Sequence, residues 1–194
     1  MLFEVFARRL PNGRRYGVTQ FESTDARRAF PCFDEPGWKT PWRITIDAPA
    51  ANEVVSNTPE ILASDLSGRA GWTRHDFATT KPLPAYLVAM AVGPFDVVDG
   101  GTAGANKTAL RYFAPKGRGA ETRFAKEATP RMLEILEQYF GIPYPFEKLD
   151  FEAMHVIAGS SLGGLIALEL LFGVRIGRLL EPRRQIRRRL SGGD

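Results

Sequence analysis

The sequence is poor in the residues that build covalent and metal-bound frameworks. It has a single cysteine, Cys32, so no disulfide can form within the chain and a cysteine-rich metal site is excluded. Histidine is nearly as scarce, with only His75 and His155. His75 is followed by Asp-Phe-Ala and His155 by Val-Ile-Ala. Neither therefore opens an H-E-x-x-H pattern, which sets two imidazoles on one helical face around zinc. Long apolar runs are missing from the start of the chain. Residues 1–17 carry Arg8, Arg9, Arg14 and Arg15 without an apolar core, unlike a secretory signal. The longest apolar stretch, residues 156–174, is interrupted by Glu169, two serines and several glycines, which argues against a membrane helix. Its Gly159 and Gly163 do form a small-xxx-small pair. An excess of one charge is also absent from most of the chain. The formal net charge is +4, but seven of the 26 Lys and Arg fall in the last twenty residues. The basic character is a property of the tail, and such a run reads as a solvated segment rather than a nucleic-acid surface. The resulting expectation is a cytoplasmic protein with no nucleic-acid partner and no membrane anchor.

What is present suits one or two small globular domains in 194 residues, with 44% hydrophobic and 25% charged content. The 19 Gly and 14 Pro are spread among apolar runs, as in a protein of many turns and short strands. From Thr40, Trp42, Ile44 and Ile46 alternate with Arg43, Thr45 and Asp47, the period of a half-buried strand closed by Pro49. Residues 53–57, 72–79 and 108–113 read as further strands. Residues 85–92, almost wholly apolar, read as a strand buried on both faces and continued by 95–98, with Gly100-Gly101 turning the chain. After Pro115 the period changes. Phe124, Ala128, Met132, Ile135, Leu136 and Tyr139 recur at three- and four-residue intervals, predicting a helix over 120–140 with that stripe buried. Pro130 would kink or split it, and Gly141 would stop it. The shift in composition near residue 105 marks a domain boundary.

Two segments are distinctive. One is Thr19-Gln-Phe-Glu-Ser-Thr-Asp-Ala-Arg-Arg-Ala-Phe-Pro-Cys-Phe-Asp-Glu-Pro36, the other Tyr139-Phe-Gly-Ile-Pro-Tyr-Pro-Phe-Glu-Lys-Leu-Asp150. Both resemble the aminopeptidase N family of zinc metallopeptidases, in that order, and the stretch from Lys81 to Phe95 is similar to the same family. The resemblance runs from about residue 17 to about residue 151. It implies a mainly β fold with a small α/β part, in which a partial β-saddle domain is followed by the opening of a thermolysin-like domain. The expected divisions are 1–104 for the saddle part, 105–154 for the start of the catalytic part, and 155–194 for an atypical Gly/Arg-rich tail. The chain would then begin partway through the saddle and stop early in the catalytic domain.

The resemblance also assigns residues. Glu22 takes the position that binds the free α-amine of a peptide substrate, and Gln20 lines the pocket for the first side chain. A free ammonium needs a carboxylate in a partly dry cleft, where a charge-assisted bond is about twice as strong as a neutral one. Asp25, Arg27, Asp34 and Glu35 are expected to form supporting ion pairs and turn bonds. Cys32 is expected to be a small buried hydrophobe, and Trp38 and Trp42 core residues. Zinc is the cofactor of the parent family. None is expected on this chain, which lacks H-E-x-x-H and reads Gly159-Ser-Ser-Leu-Gly-Gly where the family's G-A-M-E-N clamp should follow. No catalytic or metal residues are therefore assigned. The reading is a portion of a zinc metalloaminopeptidase acting on peptide amino termini and inactive alone.

Two alternatives stay open. One is a non-catalytic β-rich peptide-binding or structural module. The other is a serine hydrolase, because Gly159 to Gly163 forms a G-x-S-x-G elbow with Ser161 as nucleophile. Against the elbow, no histidine follows His155, whereas the acid and histidine of that fold follow the serine. The last forty residues contain no lysine and are dense in Arg, Gly, Leu and Ser, a composition a shifted reading frame through GC-rich DNA would give.

Overall fold

The structure, a computed structural model, describes residues 6–9 and 13–152. The described residues all fall in one compact unit. Strands β1 (Phe6–Arg9) and β2 (Arg15–Val18) form an antiparallel pair. A short helix α1 (Ala26–Ala29) follows, and then β3 (Lys39–Thr40), β4 (Thr45–Pro49), β5 (Glu53–Ser56), β6 (Glu60–Asp65) and β7 (Trp72–Phe77). The chain continues through β8 (Leu83–Pro84), a 3₁₀ turn at Ala85–Leu87, β9 (Met90–Gly93), β10 (Phe95–Ala103) and β11 (Thr108–Pro115). A second 3₁₀ turn at Gly119–Thr122 leads into α2 (Arg123–Phe140), and β12 (Lys148–Glu152) ends the described structure.

The strands make a four-stranded sheet ordered β1-β2-β9-β5, a three-stranded sheet β4-β7-β6, the small pair β3-β8, and a sheet β10-β11-β12. The pairing of β11 with β12 is parallel, and α2 lies between them in sequence. That is a βαβ unit, because parallel neighbours need a crossover long enough to return the chain. The fold is therefore mainly β with a small α/β part.

The alternation read from Trp42 to Ile46 is observed. Ile44 is buried among Phe21, Ala26, Ala29, Phe77, Ala85 and Val88, with Trp42 and Ile46 packed against that cluster. The Trp42 indole N–H donates to the Leu83 carbonyl at 3.0 Å, so the ring lies in the core without stranding its donor. A second aromatic contact joins two sheets. Tyr16 on β2 packs on Phe95 of β10 at 5.1 Å between ring centroids, and Phe95 meets Phe113 of β11 at 6.1 Å. The Tyr16 hydroxyl donates to the Pro94 carbonyl and accepts from the Lys116 N–H. Gly93 allows this approach, because a Cβ there would lie 2.5 Å from the Tyr16 ring.

The structure corrects expectations at three places and adds one strand that was not read. Residues 85–92 are not one doubly buried strand. Proline at 84 opens a 3₁₀ turn that drives Ala85 and Val88 into the core, and pairing starts only at Met90. Gly100-Gly101 does not reverse the chain. It is a bulge inside β10, where the register slips between Asp99 and Thr102 against β11. Strand β6 went unread because all six of its residues are exposed, so it has no buried alternation to detect. Helix α2 runs unbroken through Pro130 and ends at Gly141 in the left-handed region, as expected. Its buried residues, however, are Thr129 and Leu133, whereas Phe124, Met132, Ile135 and Tyr139 of the expected stripe are exposed.

Candidate functional site

The segment that follows β2 is built by its alternation. Val18 is the last residue of β2 and pairs with Ala91 of β9. Thr19 then extends the ladder by one residue, its N–H donating to the Met90 carbonyl at 3.0 Å. Its hydroxyl accepts from the Met90 N–H at 2.8 Å, so Thr19 closes the edge of β9 with both backbone and side chain. Phe21 is 2% exposed and meets Phe30 edge-on at 5.6 Å. Gln20 and Glu22, on either side of it, are half-buried. The Gln20 side-chain oxygen accepts from the Glu22 N–H at 3.0 Å, fixing one predicted site residue on the backbone of the other. The Glu22–Ser23 peptide is cis. The structure thus brings Gln20 and Glu22 together on a short run anchored by Thr19 and Phe21.

Beyond this run, the Asp25 N–H bonds the Phe21 carbonyl and α1 begins. The supporting ion pairs are present. Asp34 is 3% exposed and accepts from the Arg27 N–H at 3.0 Å and from Arg27 Nε at 3.2 Å. Arg27 also approaches Glu35 at 3.7 Å, and Arg28 approaches Asp25 at 3.5 Å. Cys32 is half-buried against the core cluster, and burial first, then Asp34, pushes its thiol above the ordinary value. A thiol held protonated is a poor nucleophile. Trp38 is not a core residue. It is 62% exposed and stacks at 5.4 Å on Phe33, itself 74% exposed.

The second distinctive segment holds the βαβ unit together. Glu137 of α2 accepts from the Ala105 N–H at 2.9 Å and the Tyr144 N–H at 2.7 Å, tying the β10–β11 turn to the run after the helix. Lys148 and Asp150 of β12 form a salt bridge, and Asp150 takes a two-pronged bond from Arg111 of β11 at 2.9 and 2.8 Å. Lys148 also donates to the Ser56 carbonyl of β5 at 2.6 Å, so β12 is bonded to the four-stranded sheet. Burial pulls the Lys148 ammonium below its ordinary value, against the opposing effect of Asp150. Ser56 is the register partner of Met90, the residue that holds Thr19. The Ser56 hydroxyl donates to the carbonyl of Ala89, the neighbour of Met90, at 2.9 Å, so the Gln20–Glu22 run is connected to β12 through β9 and β5. The sequence showed both ends of that path as motifs, but Ser56 carried no signal.

The described residues do not offer a metal a donor set. Among them no group of three or more His, Cys, Asp or Glu could hold one. His75 Nδ1 lies 3.1 Å from a Glu60 carboxylate oxygen, a pairing that orients the ring within the β6–β7 pair. Zinc therefore has no fit to the described residues. His155 and Ser161 lie outside the described residues. No helix among those described is long and apolar enough to cross a membrane.

The architecture is that of a β-rich amino-terminal part leading into a βαβ unit, with a paired Gln20–Glu22 run just past the end of the inner strand β2. Comparison with known proteins gives it a family. Residues 8–87 match the family described as the Peptidase M1 N-terminal domain. Aminopeptidase M1-A of Oryza sativa subsp. japonica is 35% identical over 149 residues, 77% of this chain and 16% of that protein. Endoplasmic reticulum aminopeptidase 2 of Homo sapiens is 38% identical over 141 residues, 73% of this chain and 14% of that protein. Aminopeptidase N of Plutella xylostella is 34% identical over 165 residues, 83% of this chain and 17% of that protein. The chain belongs to the aminopeptidase M1/N family. It spans 14–17% of the length of these relatives.

Proposed function

We propose that this chain is the amine-recognising portion of a zinc metalloaminopeptidase, a module that holds the free amino terminus of a peptide and does not cleave it alone. In this reading residues 1–104 are the amino-terminal sheet domain, 105–154 open the catalytic domain, and 155–194 are an atypical tail. Glu22 receives the α-ammonium, Gln20 borders the first side chain, and the protein works in the cytoplasm. Zinc, which would polarise the scissile carbonyl and generate hydroxide, belongs to the complete enzyme rather than to these residues.

The observation that carries this reading is the Thr19–Glu22 run. Thr19 locks its start to Met90, Phe21 sinks into the core, and Gln20 ties down the Glu22 backbone. A carboxylate on a preordered, half-buried backbone loses little conformational freedom when it takes an ammonium, which favours binding.

The test is an NMR titration of the full chain with a short peptide carrying a free amino terminus, beside its N-acetylated twin. The free-amine peptide should shift resonances of residues 19–23 and saturate, the acetylated one should not, and Glu22→Ala should abolish the response. Equal shifts from both peptides would remove the amine-binding role. So would an undiminished response in Glu22→Ala.

A further inference from the structure

Strand β5 ends at Ser56, whose register partner on β9 is Met90. One step further along the same register, Asn57 would face Ala89, but there the backbone ladder has stopped and the segment leading out of the 3₁₀ turn at Ala85–Leu87 belongs to no strand. Side chains take over. The Asn57 amide donates to the Leu87 carbonyl at 2.8 Å, and its side-chain oxygen accepts from the Ala89 N–H at 2.8 Å. The Ser56 hydroxyl donates to the Ala89 carbonyl at 2.9 Å. One donor and one acceptor on a single amide reproduce what a residue of a neighbouring strand offers, so half-buried Asn57 prolongs the β5–β9 ladder with its side chain.

The consequence for the Gln20–Glu22 run follows from peptide planarity. The Ala89 carbonyl and the Met90 N–H are opposite ends of one planar group. Ser56 holds the carbonyl end, and the N–H end donates to the Thr19 hydroxyl at 2.8 Å. Asn57 holds the peptide plane before it through the Ala89 N–H. Loss of the Asn57 amide frees rotation about Val88 and Ala89, and the donor that Thr19 needs is no longer aimed. Thr19 in turn starts the run in which Phe21 is buried and the Glu22 N–H is tied to Gln20.

We propose that Asn57 is a positioning residue for amine recognition, aiming the Met90 N–H at Thr19 and thereby fixing where the Glu22 carboxylate sits. The role is tied to the reading of Glu22 as the partner of the amine. Preordering of that carboxylate favours binding, so loosening its anchor lowers affinity in a chain that is still folded. An asparagine that only stabilised a turn would lower the melting point and leave affinity unchanged.

Two measurements on the full chain test this. In the NMR titration with the free-amine peptide, Asn57→Ala should bind about tenfold more weakly under conditions where circular dichroism shows it folded, the order expected for one or two lost hydrogen bonds. Asn57→Asp keeps the shape and the acceptor for Ala89 but cannot donate to Leu87; it should also weaken binding, and it replaces Asn57→Ala if that variant does not fold. Leu133→Ala lowers stability beneath α2 and should leave affinity unchanged. In amide hydrogen exchange without peptide, the Met90 and Glu22 N–H groups of the Asn57 variant should exchange at least about tenfold faster, and the Leu133 N–H inside α2 at its former rate. Full affinity in the Asn57 variants would overturn the proposal. So would an equal loss of affinity in Leu133→Ala, or unchanged exchange at Met90 and Glu22. If the unaltered chain does not tell the free-amine peptide from its acetylated twin, the amine reading fails, and the exchange rates alone decide whether Asn57 positions the run.

Discussion

Tyr144 is 5% exposed, and its hydroxyl donates to the Lys148 carbonyl at 3.4 Å. Burial pushes the phenol far above its usual range, and the nearby Asp150 charge adds to the effect. The unfolded chain releases this proton near pH 10, whereas the folded chain keeps it. The folded state therefore binds more protons above pH 10, and the stability held below that pH is lost as pH rises. Tyr144→Phe should flatten this loss by up to about 1.4 kcal/mol per pH unit in urea melts between pH 10 and 11.5. Identical slopes for the two proteins would show that Tyr144 ionises as freely in the folded chain as in the unfolded one. Other single residues were legible in uneven measure. Ion pairing among Asp25, Arg27, Asp34 and Glu35 was anticipated because these opposite charges share one segment, and the Arg27–Asp34 pair is one outcome. The exposure of Trp38 was not, because size and hydrophobicity alone cannot separate a core tryptophan from one stacked on a surface phenylalanine.

The same limit applies at the level of the element, with α2 as the clearest case. Its length and its stop at Gly141 followed from period and from the left-handed backbone that glycine tolerates, here at φ 69°. Its buried face did not. The strongest apolar stripe points away from the sheet, and the inner face is built from Leu133 and the half-polar Thr129, whose hydroxyl turns back to the Ala125 carbonyl at 2.6 Å. Periodicity reports that a helix has apolar faces, but not which one its own domain uses. Leu133→Ala should therefore cost about 2–4 kcal/mol in a urea melt. Ile135→Ala, one turn-fraction away and half exposed, should stay within about 0.5 kcal/mol. Comparable losses at both positions would place Ile135 in the core. Strand β9 shows the complementary failure. Its run was apolar enough for a strand, but Pro84 and the 3₁₀ turn spent the first half on packing before pairing began.

For the whole molecule the question is how the sheets keep their relative placement, and two bonded paths answer it. One is the Tyr16 hydroxyl between Pro94 and Lys116. The other runs from Arg111 through Asp150 and Lys148 to the Ser56 carbonyl, then from the Ser56 hydroxyl to the Ala89 carbonyl and along the chain to Met90, which Thr19 bonds. Ser56 and Asn57 reinforce it by bonding the Leu87 and Ala89 backbone at 2.8–2.9 Å. Both motifs that carried the family resemblance lie at its ends, which is why the candidate site was legible while the connection was not: a carbonyl oxygen leaves no mark in a sequence. Lys148→Met removes the ammonium from between Asp150 and Ser56. Because Arg111 still holds Asp150, the cost should fall at the lower end of the range for broken buried pairs, about 3 kcal/mol. A melt alone would not distinguish a link between sheets from ordinary burial, so amide hydrogen exchange is the deciding measurement. If Lys148 registers β12 on β5, protection should fall further at Thr19 and Met90 than at Thr45 and Asp76 in the β4–β7 pair, which the path does not touch. Uniform loss across both sheets would reduce Lys148 to general stability. Preferential loss at Thr19 would mean that the run bearing Gln20 and Glu22 is held in place from β12, through a Lys148–Ser56 bond that itself spans 92 residues of chain.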